Sequence, residues 1–117
     1  MKKDGKKNIE EEFIMKIVGV SACPTGVAHT YMAQEALEKE GRKRGHEIKI
    51  ETQGSIGIEN EVTEEEAQEA DVVILAITVM IEEEERFEDK LTVNADVNDA
   101  VSHPEKVLDE AEKLVNG

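Results

Sequence analysis

Tryptophan is absent from this chain, and its aromatic residues are one tyrosine and two phenylalanines among 117 residues. A core must therefore be built from Val, Ile, Leu, Met and Ala, and a chain of this length can bury about 60 to 70% of its unfolded surface. Basic charge is also short: 14 Lys and Arg stand against 28 Asp and Glu, a formal net charge of −14. Repulsion argues against nucleic acid and anionic membrane surfaces and favours a partner with a basic face. Most of the carboxylates are expected to be solvated helix faces. No positively charged start leads into an apolar signal core. The longest apolar stretch, residues 70–81, is broken by Asp71 and Thr78 and is too short to cross a bilayer. A cytoplasmic chain without direct membrane insertion is expected. The single cysteine, Cys23, excludes an internal disulfide. Neither His, Cys nor carboxylate spacing suggests a metal site, and no cofactor is expected.

Residues 1–12 are charged and lack apolar periodicity, which predicts a disordered lead or linker remnant ahead of a single domain over residues 13–117. A β-rich apolar run over residues 14–20 predicts a strand buried on both faces. Residues 27–44 are helical in pattern, with Met32, Ala33, Ala36 and Leu37 on one face and Gly45 placed to close the helix. Ile48 and Ile50 alternate with polar neighbours, a second strand. Thr63 to Glu66, "TEEE", fits a capping box before a short helix ending near Ala70. "DVVILAIT" predicts a central third strand, and residues 91–93 a short fourth. "SHPE", from Ser102, repeats the capping-box spacing before a final helix. This alternation predicts an α/β fold: an open, mainly parallel four-stranded sheet with helices on both faces, a Rossmann-like three-layer sandwich.

On that architecture Cys23 falls just past the carboxyl end of the first strand, and the residues after it open the first helix. Ligands bind at this edge of open α/β sheets. Amides entering a helix point outward and the dipole favours negative charge, so an anion can be held by backbone. Gly26 allows its close approach, while Pro24 fixes the turn without offering an amide. The same field lowers a thiol's pKa, so Cys23 is expected to be partly or wholly thiolate at neutral pH. A lone cysteine is usually a small buried hydrophobe, but a turn rich in Pro, Thr and Gly is a poor place to hide a sulfur. Redox chemistry lacks the resolving partner of a CxxC pair. A phosphate-handling thiolate remains.

"VSACPTGVAHTYMAQEALEKEG" and "IKIETQGSIGIEN" closely resemble the fructose-type enzyme IIB domain of the bacterial phosphoenolpyruvate-dependent sugar phosphotransferase system, over about residues 15–90. The resemblance implies a phosphotransferase in which Cys23 accepts a phosphoryl group from a phosphohistidine on a IIA partner and passes it to a sugar, fructose by family default, bound in a membrane-spanning IIC permease. It implies a cytoplasmic protein peripherally associated with that permease. Pro24, Thr25, Gly26, Val27, Ala28, His29 and Thr30 match the family's phosphate loop, and Gln53, Gly54 and Ser55 its second signature. The acidic stretch after the third strand departs from the family pattern, and the tail from Leu91 is only loosely similar.

The rival reading is a phosphohydrolase of the low-molecular-weight tyrosine-phosphatase kind, which also carries a cysteine loop after the first strand. Those enzymes place an arginine six residues beyond the cysteine, where its fork clamps phosphate. This chain has His29 there, read as a bonding partner for the phosphoryl group. A non-enzymatic interaction module would leave Cys23 without a task. His46 and His103 are expected to be structural or solvent-facing, and Glu59 and Glu61 to be surface charges.

Overall fold

The computed structural model describes residues 14–24 and 27–117. The expected lead, residues 1–12, lies outside them, as do Thr25 and Gly26 of the cysteine loop. The sheet has strands β1 (Lys16–Ala22), β2 (Glu47–Gly54), β3 (Gly57–Glu59), β4 (Val72–Ile77) and β5 (Thr92–Ala95), in the order β3-β2-β1-β4-β5. β2, β1, β4 and β5 run parallel, whereas β3 folds back antiparallel on β2 with Gly54 opposite Gly57. The helices are α1 (Val27–Lys43), α2 (Glu64–Glu69), α3 (Val97–Ser102) and α4 (Pro104–Asn116), with a 3-10 turn over Glu84–Phe87.

Both faces of the sheet are covered, as the unbroken apolar strands require. On one face Ala33 and Leu37 of α1, Ala100 of α3 and Leu108 of α4 pack on Ile17, Ile50 and Ile74. On the other, Val62, Ala67 of α2 and Phe87 cover Val18, Val20, Val73 and Leu75. The central position of β1 leaves no room beside Gly19, where a Cβ would lie 2.3 Å from the Ile74 carbonyl oxygen.

The helix ends follow local chemistry. α1 closes in a Schellman motif: Gly45 has a φ of +87° and bonds through its N–H to Arg42 O, while the His46 N–H reaches Gly41 O. Thr63 and Glu66 form the expected capping box of α2. The buried stripe of α1 runs through Ala33, Leu37 and Gly41, so Met32, expected to face inward, lies at its margin and is 49% exposed. The expected capping box at Ser102 is not formed. Ser102 ends α3, and His103 precedes α4 without a side-chain cap bond. Pro104 at the first helical position has no N–H to satisfy.

The outer edge of β2 is occupied over part of its length by β3. Further along, Ile50 gives its N–H to Glu38 Oε2 (2.9 Å), and its carbonyl accepts from Gln34 Nε2 and Asn60 Nδ2. His46, just before β2, is structural as expected. Its buried Nδ1 accepts the Met15 N–H, leaving Nε2 to donate to Glu112. His103 is solvent-facing.

Candidate functional site

Parallel strands bring their carboxyl ends to one edge of a sheet, and the register here fixes what meets there. Ala22, the last residue of β1, pairs with Gln53 of β2 on one side and Ile77 of β4 on the other. Cys23 follows it, half-buried, against the α1 side of the core. Pro24 is exposed. α1 starts four residues beyond the cysteine, and its first turn carries no carboxylate that would compete with an anion. The helix start is tied to β1 by the Ser21 hydroxyl, which donates to Thr30 O (2.9 Å). Thr30 is buried, while Ala28 and His29 face solvent.

Those sequence-predicted residues that the structure describes thus fall at one edge from two separate stretches of chain. Cys23 and the start of α1 lie beside Gln53 and Gly54 through the Ala22–Gln53 register, and Ser55 is exposed in the two-residue turn into β3. Thr25 and Gly26 lie outside the described residues, as does the side chain of Val27. Glu59 accepts a hydrogen bond from the Tyr31 hydroxyl, which raises the tyrosine's pKa. Glu61 is exposed, as expected.

Glu51 and Arg86 are the residues that sequence reasoning missed. Glu51 is fully buried, and Arg86 grips it with Nη1 on Oε1 (2.8 Å) and Nη2 on Oε2 (3.1 Å). The Val62 N–H also bonds Glu51 Oε1 (2.8 Å), and Gln53 Nε2 bonds Oε2 (2.7 Å). Burial works to raise the Glu51 carboxyl, but Arg86, Gln53 and the Val62 amide outweigh it and hold the group below the usual carboxylate range. Arg86 also donates to the backbone carbonyls of Val62, Glu82 and Glu83, and its guanidinium lies 4.7 Å from the Phe87 ring centre. Alternation in β2 suggested a polar outer face for Glu51; that face is covered here. The available signal was Arg86 itself, a lone arginine directly after four consecutive glutamates.

The chain matches the family model described as "PTS system, Lactose/Cellobiose specific IIB subunit" over residues 18–110. It is 50% identical over 97 residues to the fructose-like EIIB component 2 of the phosphotransferase system in Escherichia coli K12, an alignment covering 83% of this chain and 92% of that protein. Among solved structures it is similar to a domain of the fructose-specific IIABC component from Borrelia burgdorferi, with 48% identity and a TM-score of 0.80, covering 86% of this chain and 95% of that one. The enzyme IIB subunit of the Escherichia coli K12 system is also similar, with 37% identity and a TM-score of 0.81 over 88% of this chain and 95% of that one.

Proposed function

The chain belongs to the IIB family of the sugar phosphotransferase system, and from that premise we propose that Cys23 is its phosphoryl carrier. The thiolate attacks the phosphorus of a phosphohistidine on a IIA partner. The N–P bond breaks and the freed imidazole nitrogen takes up a proton from solvent, so that a neutral imidazole leaves. A hydroxyl of a sugar held by a IIC permease then attacks the phosphocysteine, the S–P bond breaks, the thiolate returns, and the hydroxyl proton passes to solvent. No cofactor enters either step. Phosphoryl transfer asks chiefly for positioning and for donors around three spreading oxygens, and the residues from Pro24 to Thr30 are proposed to supply the cradle, Pro24 through turn geometry and the others through amides. The His29 side chain is a further bonding partner for the phosphoryl group, with Gln53, Gly54 and Ser55 bracing the loop from β2 and its turn without touching that group.

The observation that carries this reading is the position of Cys23 between the carboxyl end of β1 and the start of α1. The B. burgdorferi relative, whose name joins A, B and C in one component, supports the IIA and IIC partners. The relatives' names support fructose over the sugars in the family description. No helix among the described residues is long and apolar enough to cross a membrane, and the proposed place of work is the cytoplasmic face of the permease.

Intact mass after mixing with a phosphorylated histidine carrier tests the proposal. One added phosphoryl group mapping to Cys23 is expected, as is its loss in Cys23→Ser with the fold retained, because an alcohol is a far poorer nucleophile and leaving group than a thiolate at neutral pH. Undiminished sugar phosphorylation by Cys23→Ser overturns the mechanism.

A further inference from the structure

We propose that Gln53 is a positioning residue for phosphoryl acceptance: it holds residues 78–82 across the end of β1, where they form the wall of the Cys23 site opposite α1. The inference rests on the carrier reading above.

The path of the chain follows from three observations. The Thr78 N–H bonds Ala22 O at 3.1 Å, so the segment leaves β4 directly beside the residue that precedes the cysteine. Four residues later the Glu82 N–H bonds Gln53 Oε1 at 2.8 Å, and Gln53 Nε2 donates back to Glu82 O at 3.1 Å. β4 and β2 flank β1 on opposite sides, so a segment running from one to the other must cross the carboxyl end of β1. Beyond it, Phe87 packs into the α2 layer, whereas Cys23 packs in the α1 layer. The crossing segment therefore lies on the far side of the thiol from α1.

Only one orientation of the Gln53 amide satisfies its neighbours. Oε1 takes the Glu82 N–H, and Nε2 gives one hydrogen to Glu82 O and the other to Glu51 Oε2 (2.7 Å). Turning the amide over would set donor against donor and acceptor against carboxylate. Glu51 is itself fixed by Arg86, which also donates to Glu82 O (3.3 Å). A buried ion pair thus braces a clamp on the backbone of a loop. The clamped segment carries Val79 and Met80, 36% and 93% exposed, and then turns Ile81 into the core. Two apolar side chains are held at the rim that a phosphohistidine protein must approach, on a backbone tied down at both ends.

The test separates docking from thiolate chemistry. Gln53→Met keeps the length of the side chain and removes all three bonds. Gln53→Glu keeps an acceptor for the Glu82 N–H and loses both donated bonds. For each, kcat and KM of phosphoryl transfer from a phosphohistidine carrier protein are measured, with Cys23 alkylation by iodoacetamide and amide exchange over residues 78–82. Gln53→Met is expected to speed exchange and raise KM about tenfold, with kcat and the alkylation rate within about twofold of wild type. Gln53→Glu moves the same readouts in the same direction. An unchanged KM despite faster exchange overturns the inference alone. So does a fall in kcat and alkylation together, which places the effect on the thiolate. A wild-type chain that accepts no phosphoryl group removes the carrier reading, and the inference with it.

Discussion

His29 is the third residue of α1, facing solvent six positions beyond Cys23. An arginine there would add a charged fork, whose charge-assisted bonds are worth about 1.5 to 3 kcal/mol. The wild type is expected to hydrolyse p-nitrophenyl phosphate hardly at all. His29→Arg is expected to hold phosphate more tightly and to release it to the sugar more slowly, measured as phosphocysteine decay with and without permease membranes. Robust aryl phosphate hydrolysis with no acceptance from phosphohistidine favours the phosphatase. Gly19 makes a second sharp case, because a Cβ there meets Ile74 O at 2.3 Å and Ile50 Cδ1 at 2.9 Å. The backbone oxygen cannot step aside without breaking register, so Gly19→Ala is expected to cost about 1 to 3 kcal/mol of unfolding free energy in urea. The place of Cys23 between a strand and a helix could be read from sequence because the apolar β run ends just before it and the helical pattern begins just after it. The Glu51–Arg86 pair was not read: the arginine after four glutamates marked one partner, but a glutamate in an alternating strand looks the same whether its face meets water or a buried guanidinium.

At the scale of elements, α2 spans only six residues, yet it carries a complete capping box. Glu66 is drawn below the usual carboxylate range chiefly by the Thr63 amide and by Lys49. Thr63→Ala removes the hydroxyl acceptor for the Glu66 N–H and is expected to cost about 1 kcal/mol in denaturant unfolding; an unchanged midpoint and slope would show the cap to be idle. The parallel strands, α1 and its glycine stop were legible because apolar period and terminal residues agree there. β3 was not, because three residues ending a glycine-rich turn carry too little pattern to distinguish from loop. α3 was hidden in a stretch rich in Asn and Asp, although Asp96 caps it by accepting the Asn98 N–H at 2.7 Å. The spacing at Ser102 misled because Ser102 already belongs to the preceding helix.

For the whole molecule, a net charge of −14 sets a repulsion that eases as surface carboxylates take up protons. Glu51 and Glu66 act in the other direction. Their folded pKa values lie below the unfolded ones, so their stabilisation is present above the unfolded value and is lost as pH falls through the folded value. Urea unfolding followed from pH 7 downward is expected to show little loss until the ordinary glutamate range, about pH 4.3, and a steepening loss beneath it. Stability that keeps rising to pH 3 would contradict the roles given to these two groups. The bonding along β2 has a further consequence at this scale. With β3 laid on one part of its outer edge and Gln34, Glu38 and Asn60 bonding Ile50 in another, those stretches offer no open ladder for a second copy to extend. An acidic carrier crowded among its own kind is thereby protected there from growing into a shared sheet.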